Sequence, residues 1–314
     1  MKKTAVVLFN LGGPDSLKAV RPFLYNLFSD RDIFKIPFGQ KLFAYILSTL
    51  RTATIKKSYA LIGGKSPINE WTEKQRAMLE MKLQTIDVYT GMRYWKPSIR
   101  EAAQKIRDKK YERIILLPLY PHFSLTTTGS SYNEWNRVFK NDSNTEIVVI
   151  HEYATNPYYI QALNEPINEA LLKFPQDIRN KVQLVFSAHG TPISLVKQGD
   201  PYSRQINETI QAIMKYRNYS HEYHLCYQSK IGPIKWLGPS IGEMIGILAN
   251  KNKKNLLIIP ISFVSDHIET LYELDILYRK TANLNGIENY VVINGLNDSD
   301  TFITALTNIV LSKV

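Results

Sequence analysis

Cysteine is nearly absent from this 314-residue chain: Cys226 stands alone. One thiol excludes an intrachain disulfide framework and any iron–sulfur or zinc site that draws four thiolates from this chain. A reducing compartment is therefore expected. Long apolar runs are absent too. A spanning helix needs about 20 apolar residues, and the nearest stretch, Leu42 to Leu50, is bounded by Lys41 and Arg51. The N-terminus passes from Lys2-Lys3 directly into Thr4–Leu11, without the longer apolar region and small-residue cleavage site of a signal peptide. Nucleotide fingerprints are missing as well. No G-x-G-x-x-G follows an expected strand, and Gly12-Gly13 is followed by Pro14, which has no amide to offer a phosphate. Gly64-Lys65-Ser66 resembles the end of a P-loop, yet Tyr59 stands where its first glycine belongs.

What the chain does have is positive charge, a formal +11. Such a balance suits an acidic ligand, an anionic membrane surface or nucleic acid. The basic clusters Lys56-Lys57, Lys109-Lys110 and Lys251–Lys254 are short and scattered, with no aromatic-interleaved stripe, so nucleic acid is not an expected partner.

Short apolar runs recur at Ala5–Leu11, Ile86–Tyr89, Arg113–Leu119, Glu146–His151, Val182–Ser187, Tyr223–Tyr227, Leu256–Ile261 and Tyr290–Ile293. Most are continuous rather than alternating, the mark of parallel strands covered on both faces. Helix-period segments lie between them. Thr72–Gln84 is opened by Thr72, and Ser98–Lys109 by an N-cap at Ser98. Asn156–Lys173 has Pro157 in its first turn, and Gly238–Asn250 follows. The alternation implies βαβ units. It predicts two similar Rossmann-like α/β domains, each a four-stranded parallel sheet flanked by helices, over 1–155 and 156–314, with the boundary near 152–160. In such sheets ligands bind outside the carboxyl ends of the strands. Asn10–Pro14, Gly91–Tyr94, Pro118–His122, Ser187–Gly190, Gln228–Gly232 and Pro260–His267 stand there, and two such edges are expected to face one another across a cleft.

Among the six histidines, His221 and His224 have near-metal spacing, but a strand would send them to opposite faces, so a structural role is expected. His189 ends a buried strand before Gly190 and should project into the cleft. The segment Ser265–Asp275 predicts a helix capped by Ser265 or Asp266, with Glu269 and Glu273 four apart on one face. Leu277 follows on that stripe, and no Lys or Arg stands at an i,i+4 position before it. Paired carboxylates without a cation suggest a bound metal or proton traffic. His189 and Glu269 together make a mixed N/O set suited to Fe²⁺, Zn²⁺ or Co²⁺. Two ligands hold a metal loosely, which suits delivery rather than storage.

Val185-Phe-Ser-Ala-His-Gly-Thr-Pro192 followed by Lys197–Tyr202 resembles the signature of the ferrochelatases, which insert ferrous iron into a porphyrin. Leu11–Asp15, Gly64–Asn69, Gly91–Tyr94, Thr127–Ser131, Gln228–Pro233, Trp236–Pro239 and Ser265–Asp275 also match, in order and over essentially the whole chain. The resemblance implies two chelatase-type domains around a porphyrin cleft. It implies His189 and Glu269 as catalytic and metal-binding groups, with His267 and Glu273 catalytic in the same acidic channel. Leu11, Ser66, Arg93, Tyr94, Tyr120 and Trp236 become the substrate-binding positions. It further implies insertion of Fe²⁺ into a porphyrin in the last step of haem synthesis, iron being substrate, with no permanently bound cofactor and no iron–sulfur cluster; the apolar Ile33–Leu50 lip and the lack of an arginine pair at Ala60-Leu61 make protoporphyrin IX the expected ring.

Departures from the family pattern matter. Leu277 stands where the carboxylate line often continues. Ala60 and Leu61 replace an arginine pair of animal members, so propionate binding would fall to Lys65 or Ser66. His122 and Phe123 replace Gln and Tyr. The segment from Ile33 to Leu50, apolar with Lys35, Lys41 and Arg51, is expected either to form a lip over the porphyrin that also touches anionic lipid or to pack as an amphipathic helix on the first domain. The expected location is cytoplasmic, with peripheral contact at the inner membrane face. Alternatives are a coproporphyrin III ferrochelatase, a cobalt chelatase of the same fold, and a porphyrin or haem carrier without chemistry.

Overall fold

A computed structural model describes residues 2–140, 144–229, 232 and 234–314. Lys230, Ile231 and Pro233 of the Gln228–Pro233 segment lie outside the described residues.

The chain divides into two compact units, residues 1–153 with 302–314, and residues 154–301. In the first unit the strands are β1 (Thr4–Asn10), β2 (Asp87–Met92), β3 (Arg113–Pro118) and β4 (Glu146–Val149), and the helices are α1 (Val20–Phe28), α2 (Gln40–Ala60), α3 (Ile68–Leu83), α4 (Ile99–Lys109) and α5 (Ser130–Val138). The second unit carries α6 (Pro157–Leu171), β5 (Gln183–His189), α7 (Ile193–Lys197), α8 (Tyr202–Tyr216), β6 (Tyr223–Gln228), α9 (Ile241–Asn250) and β7 (Asn255–Pro260). A π-helix (Glu269–Leu277), α10 (Tyr278–Leu284), β8 (Asn289–Val292) and α11 (Asp300–Leu311) complete the chain. Most of α11 belongs to the first unit, so the compact units differ from a single cut into 1–155 and 156–314.

Both sheets are wholly parallel, in the orders β2-β1-β3-β4 and β6-β5-β7-β8. The inner strands are the most apolar: every residue of β1 is buried, as parallel strands under helices on both faces require. Phe9, Trp135 and Ile99 join one core, and Val185, Cys226, Ile245 and Leu274 the other. In each sheet the chain leaves the first strand for one edge and then crosses back to its other side. This creates a switch point beyond the carboxyl ends of β1 and β3 in one unit, and of β5 and β7 in the other, where an open α/β sheet leaves a crevice.

Local chemistry sets the helix ends. Ser98 with Glu101, and Ser240 with Glu243, form reciprocal capping boxes, and Asn156 caps α6. Helix α9 thus starts at Ile241 rather than Gly238. Thr72 does not open its helix. α3 begins at Ile68 after Pro67, whose fixed φ is ready for a helical start. The buried Thr72 hydroxyl instead donates to Ile68 O at 2.7 Å and accepts from Asn10 Nδ2 at 2.8 Å.

Candidate active site

β5 ends on His189, at the second unit's switch point. Its ladder with β7 stops at the Ser187–Pro260 pair, so His189 N–H needs another acceptor. It finds Ser262 Oγ at 2.9 Å, and that oxygen lies 2.5 Å from the Tyr202 hydroxyl. Backbone and ring are thus held separately, the ring by Glu269: His189 Nδ1 is 2.9 Å from Glu269 Oε2. With the carboxylate ionised, Nδ1 carries the hydrogen, and Nε2 of the neutral imidazole keeps its lone pair for a proton or a metal. The imidazole side chain is 43% exposed and the Glu269 side chain 21%.

Glu269 opens the π-helix. Neither Ser265 nor Asp266 caps it. The buried Asp266 carboxylate accepts from Thr270 Oγ1 at 2.9 Å, Gly295 N at 3.0 Å and Asn297 Nδ2 at 2.7 Å. These bonds tie the segment before the helix to the loop after β8. Gly295 is required in that loop, since a Cβ there would stand 2.9 Å from Asp266 N. Leu274 anchors the other side of the helix in the core, and its carbonyl accepts from Tyr290 Oη at 2.9 Å. Glu269 and Glu273 therefore share the face turned toward the end of β6.

The two carboxylates are compensated, by a group the cation search along the helix overlooks. Ser229, which follows β6 with a left-handed φ of 59°, places its hydroxyl 2.9 Å from Glu269 Oε2 and 2.5 Å from Glu273 Oε2, while its N–H donates to Glu273 Oε1 at 2.9 Å. A hydroxyl has one proton to give. If it goes to Glu269, the short contact to Glu273 calls for a proton on Glu273. The electrostatics agree. Burial works against a charged Glu269, but His189 outweighs it and takes the carboxyl down to about 2. Burial and the neighbouring Glu269 push Glu273 up. Burial alone would lower His189, yet the Glu269 carboxylate raises it. The result is a graded set: an ionised acid against a readily protonated base, with a protonatable acid one hydroxyl away.

His267 sits differently. It is buried, its Nδ1 is 3.1 Å from Ser265 O, and burial lowers its pKa. It hydrogen-bonds to neither carboxylate; Phe263 contacts it at 4.2 Å and His189 at 6.1 Å between ring centroids. His221 and His224 are taken up by Arg179 O and Gln183 Oε1. Trp236 is half-buried in a strand-like bridge with Pro192. Among the described residues no group of three or more His, Cys, Asp or Glu could hold a metal ion.

The remaining expected positions lie in the first unit, Leu11 and Tyr120 just past the carboxyl ends of β1 and β3. Leu11 is half-buried, and its carbonyl accepts from Tyr94 N at 3.0 Å. Tyr120 turns its hydroxyl inward, and burial raises its pKa. Arg93 and Tyr94 are tied down. Asp30 Oδ2 accepts from Arg93 Nη2 at 2.9 Å and Tyr94 Oη at 2.6 Å, and Ser130 joins the same knot. Ser66 is 3% exposed and packs against Gly13, where a Cβ would stand 2.5 Å from it. Asn69 clasps Gly13 through both its N–H and C=O, at 3.0 and 2.7 Å. Lys65 pairs with Glu70 at the surface. His122 is buried, which lowers its pKa to about 3.

Sequence reasoning missed Ser229, Gln228, Ser262, Tyr202 and Asp30 as site-building residues. For the first four the signal was only a position after a strand or in a matched segment, and Asp30, which follows α1, had neither, because small polar side chains have no spacing rule.

The doubly wound two-unit fold is that of the chelatases. Solved structures bear this out for the fold. SirB from Bacillus subtilis with Fe³⁺ matches with a TM-score of 0.60 over 99% of this chain and 95% of that one, at 12% identity. The sirohydrochlorin chelatase SirB from Bacillus subtilis subspecies spizizenii in complex with cobalt gives 0.56 over 98% and 93%, at 9% identity. The ferrochelatase family model matches residues 3–314. Ferrochelatase of Geotalea uraniireducens is 47% identical over 317 residues, covering 100% of this chain and 98% of the relative. That of Aquifex aeolicus is 46% identical over 316 residues, covering 99% and 100%. The chain belongs to the ferrochelatase family.

Proposed function

We propose that this chain is a metal-inserting lyase that places Fe²⁺ into protoporphyrin IX in the last step of haem synthesis, releasing two protons. The observation that carries this reading is the His189–Glu269–Ser229–Glu273 chain of hydrogen bonds. A free-base porphyrin must lose two N–H protons as the metal enters. His189 Nε2 takes a proton at the ring, Glu269 stabilises the imidazolium through Nδ1, and the Ser229 hydroxyl connects that pair to Glu273, from which a proton can leave. The Glu269 carboxylate also holds the incoming metal loosely before transfer. An imidazole suits this work, because it can both take and release a proton. His267 supports the site from behind Phe263.

The ring is protoporphyrin rather than coproporphyrin III on chemical grounds. Ala60 and Leu61 offer no cation, Arg93 is neutralised by Asp30, and Lys65 by Glu70. Few cations are left for a ring with four carboxylates.

The enzyme works in the cytoplasm and touches the inner membrane face. Phe38, Leu42, Tyr45, Ile46 and Leu50 are exposed along α2 and the turn before it. No Asp or Glu occurs from 33 to 69, where Lys35, Lys41, Arg51, Lys56, Lys57 and Lys65 stand. An apolar stripe in an acid-free basic stretch suits anionic lipid.

Anaerobic incubation with Fe²⁺ or Zn²⁺ and each porphyrin, followed by absorbance, tests the reaction. Metalloporphyrin should form fastest with protoporphyrin IX, disappear in His189→Ala and fall severely in Glu269→Gln. A carrier would bind the ring in all three proteins and turn over in none.

A further inference from the structure

Gln228, the last residue of β6, is 1% exposed and stands directly opposite His189 in the β5–β6 register. Its amide has a fixed direction. The fully buried Ser187 hydroxyl, on the same face of β5, donates to Gln228 Oε1 at 2.7 Å. The opposite end therefore presents Nε2, which lies 3.3 Å from Glu269 Oε2 and 3.5 Å from the main-chain oxygen of the same residue. A flipped amide would set its oxygen against a carboxylate, so both ends demand one orientation. By straddling the side chain and main chain of Glu269, one amide restricts the torsions between them.

This amide completes a lopsided arrangement. Glu269 Oε2 collects His189 Nδ1 at 2.9 Å, Ser229 Oγ at 2.9 Å and Gln228 Nε2 at 3.3 Å. Among the described residues none donates to Oε1. We infer that Gln228, oriented by Ser187, is a positioning residue that locks the Glu269 carboxylate with Oε2 inward, so that Oε1 is the oxygen offered to the metal. This deepens the metal-insertion reading and rests on it.

The full-length chain, titrated with Co²⁺ without porphyrin and followed by visible absorption, reports the site apart from turnover. Gln228→Leu keeps the bulk and removes the donor; it should weaken Co²⁺ binding roughly ten-fold, in line with losses of outer-shell partners. It should also raise the KM for Zn²⁺, while porphyrin binding, read by fluorescence quenching, stays at the parent value. Ser187→Ala should shift both metal constants the same way by less. The double variant should match Gln228→Leu alone, because Ser187 acts through the amide. Parent-like Co²⁺ affinity and spectrum in folded Gln228→Leu overturns the inference, as does an additive double variant or a parent chain that binds no Co²⁺. Should Gln228→Leu fail to fold, Ser187→Ala decides by the same readouts. Weakened Co²⁺ binding in the variants of a parent that forms no metalloporphyrin would sink the proposed reaction and leave the positioning role standing. A parent that turns over, with variants indistinguishable from it, would sink the positioning role alone.

Discussion

The His189–Glu269 pair divides its stabilising effect between two pH limits. His189 is raised above its ordinary value by the carboxylate beside it. Its contribution to folding is complete below the unfolded histidine value of about 6.5 and is lost as pH rises through the higher folded value. Glu269 is depressed to about 2. Its contribution is complete above the unfolded value of about 4.3 and is lost as pH falls through the folded one. The pair therefore stabilises most between those unfolded values. Glu269→Gln should destabilise the chain more at pH 5.5 than at pH 9, measured by thermal melts, and should lower the His189 titration midpoint in an NMR pH series. Equal destabilisation at both values would show that the ion pair contributes nothing. Ser229 explains why two acids at helical spacing are tolerated without a cation: one is kept ionised, the other protonatable, and a single hydroxyl joins them.

The loop after β1 makes the same point for a whole element. Pro14 after its glycines already argues against a phosphate cradle, and the structure uses Gly13 for contact. Ser66 fills the space a side chain would need, and Asn69 satisfies the peptide on both sides. Gly13→Ala should thus be markedly destabilising in a urea titration, since overpacking a tight contact costs about 1–3 kcal/mol. Adding Ser66→Gly should recover a large part of that loss. No recovery would place the strain elsewhere. The π-helix is the other element whose form matters. Tertiary bonds from Asp266 to its first turn and from Tyr290 to Leu274 O hold it, and its wide turns keep Glu269 and Glu273 on one face.

On the scale of the whole molecule, no helix among the described residues is long and apolar enough to cross a membrane. The proposed surface contact rests on the exposed stripe along α2. Co-sedimentation with vesicles should show binding that rises with the anionic lipid fraction and falls with salt. Leu42→Ser with Leu50→Ser should reduce it several-fold while metal insertion in solution stays unchanged. Binding indifferent to lipid charge, or to the two substitutions, would reject the membrane role.

The amino-acid sequence was enough for all eight strands among the described residues, because continuous apolar runs between turn residues have few other uses. It was also enough for the cap at Ser98, which is local chemistry, and it drew attention to His189 at the end of a buried strand and to Glu269 by its helical spacing from Glu273. It could not announce a π-helix, since i→i+5 bonding leaves no period distinct from an ordinary helix over nine residues. Nor could it show that Arg93 and Tyr94 are spent on Asp30, 63 or more positions away in the chain. The tertiary structure alone decided which donors meet Glu269 and how its two oxygens are divided. Those contacts join residues from β5, β6 and the π-helix, and hydrogen bonds between such distant segments exist only once the sheet has set their register.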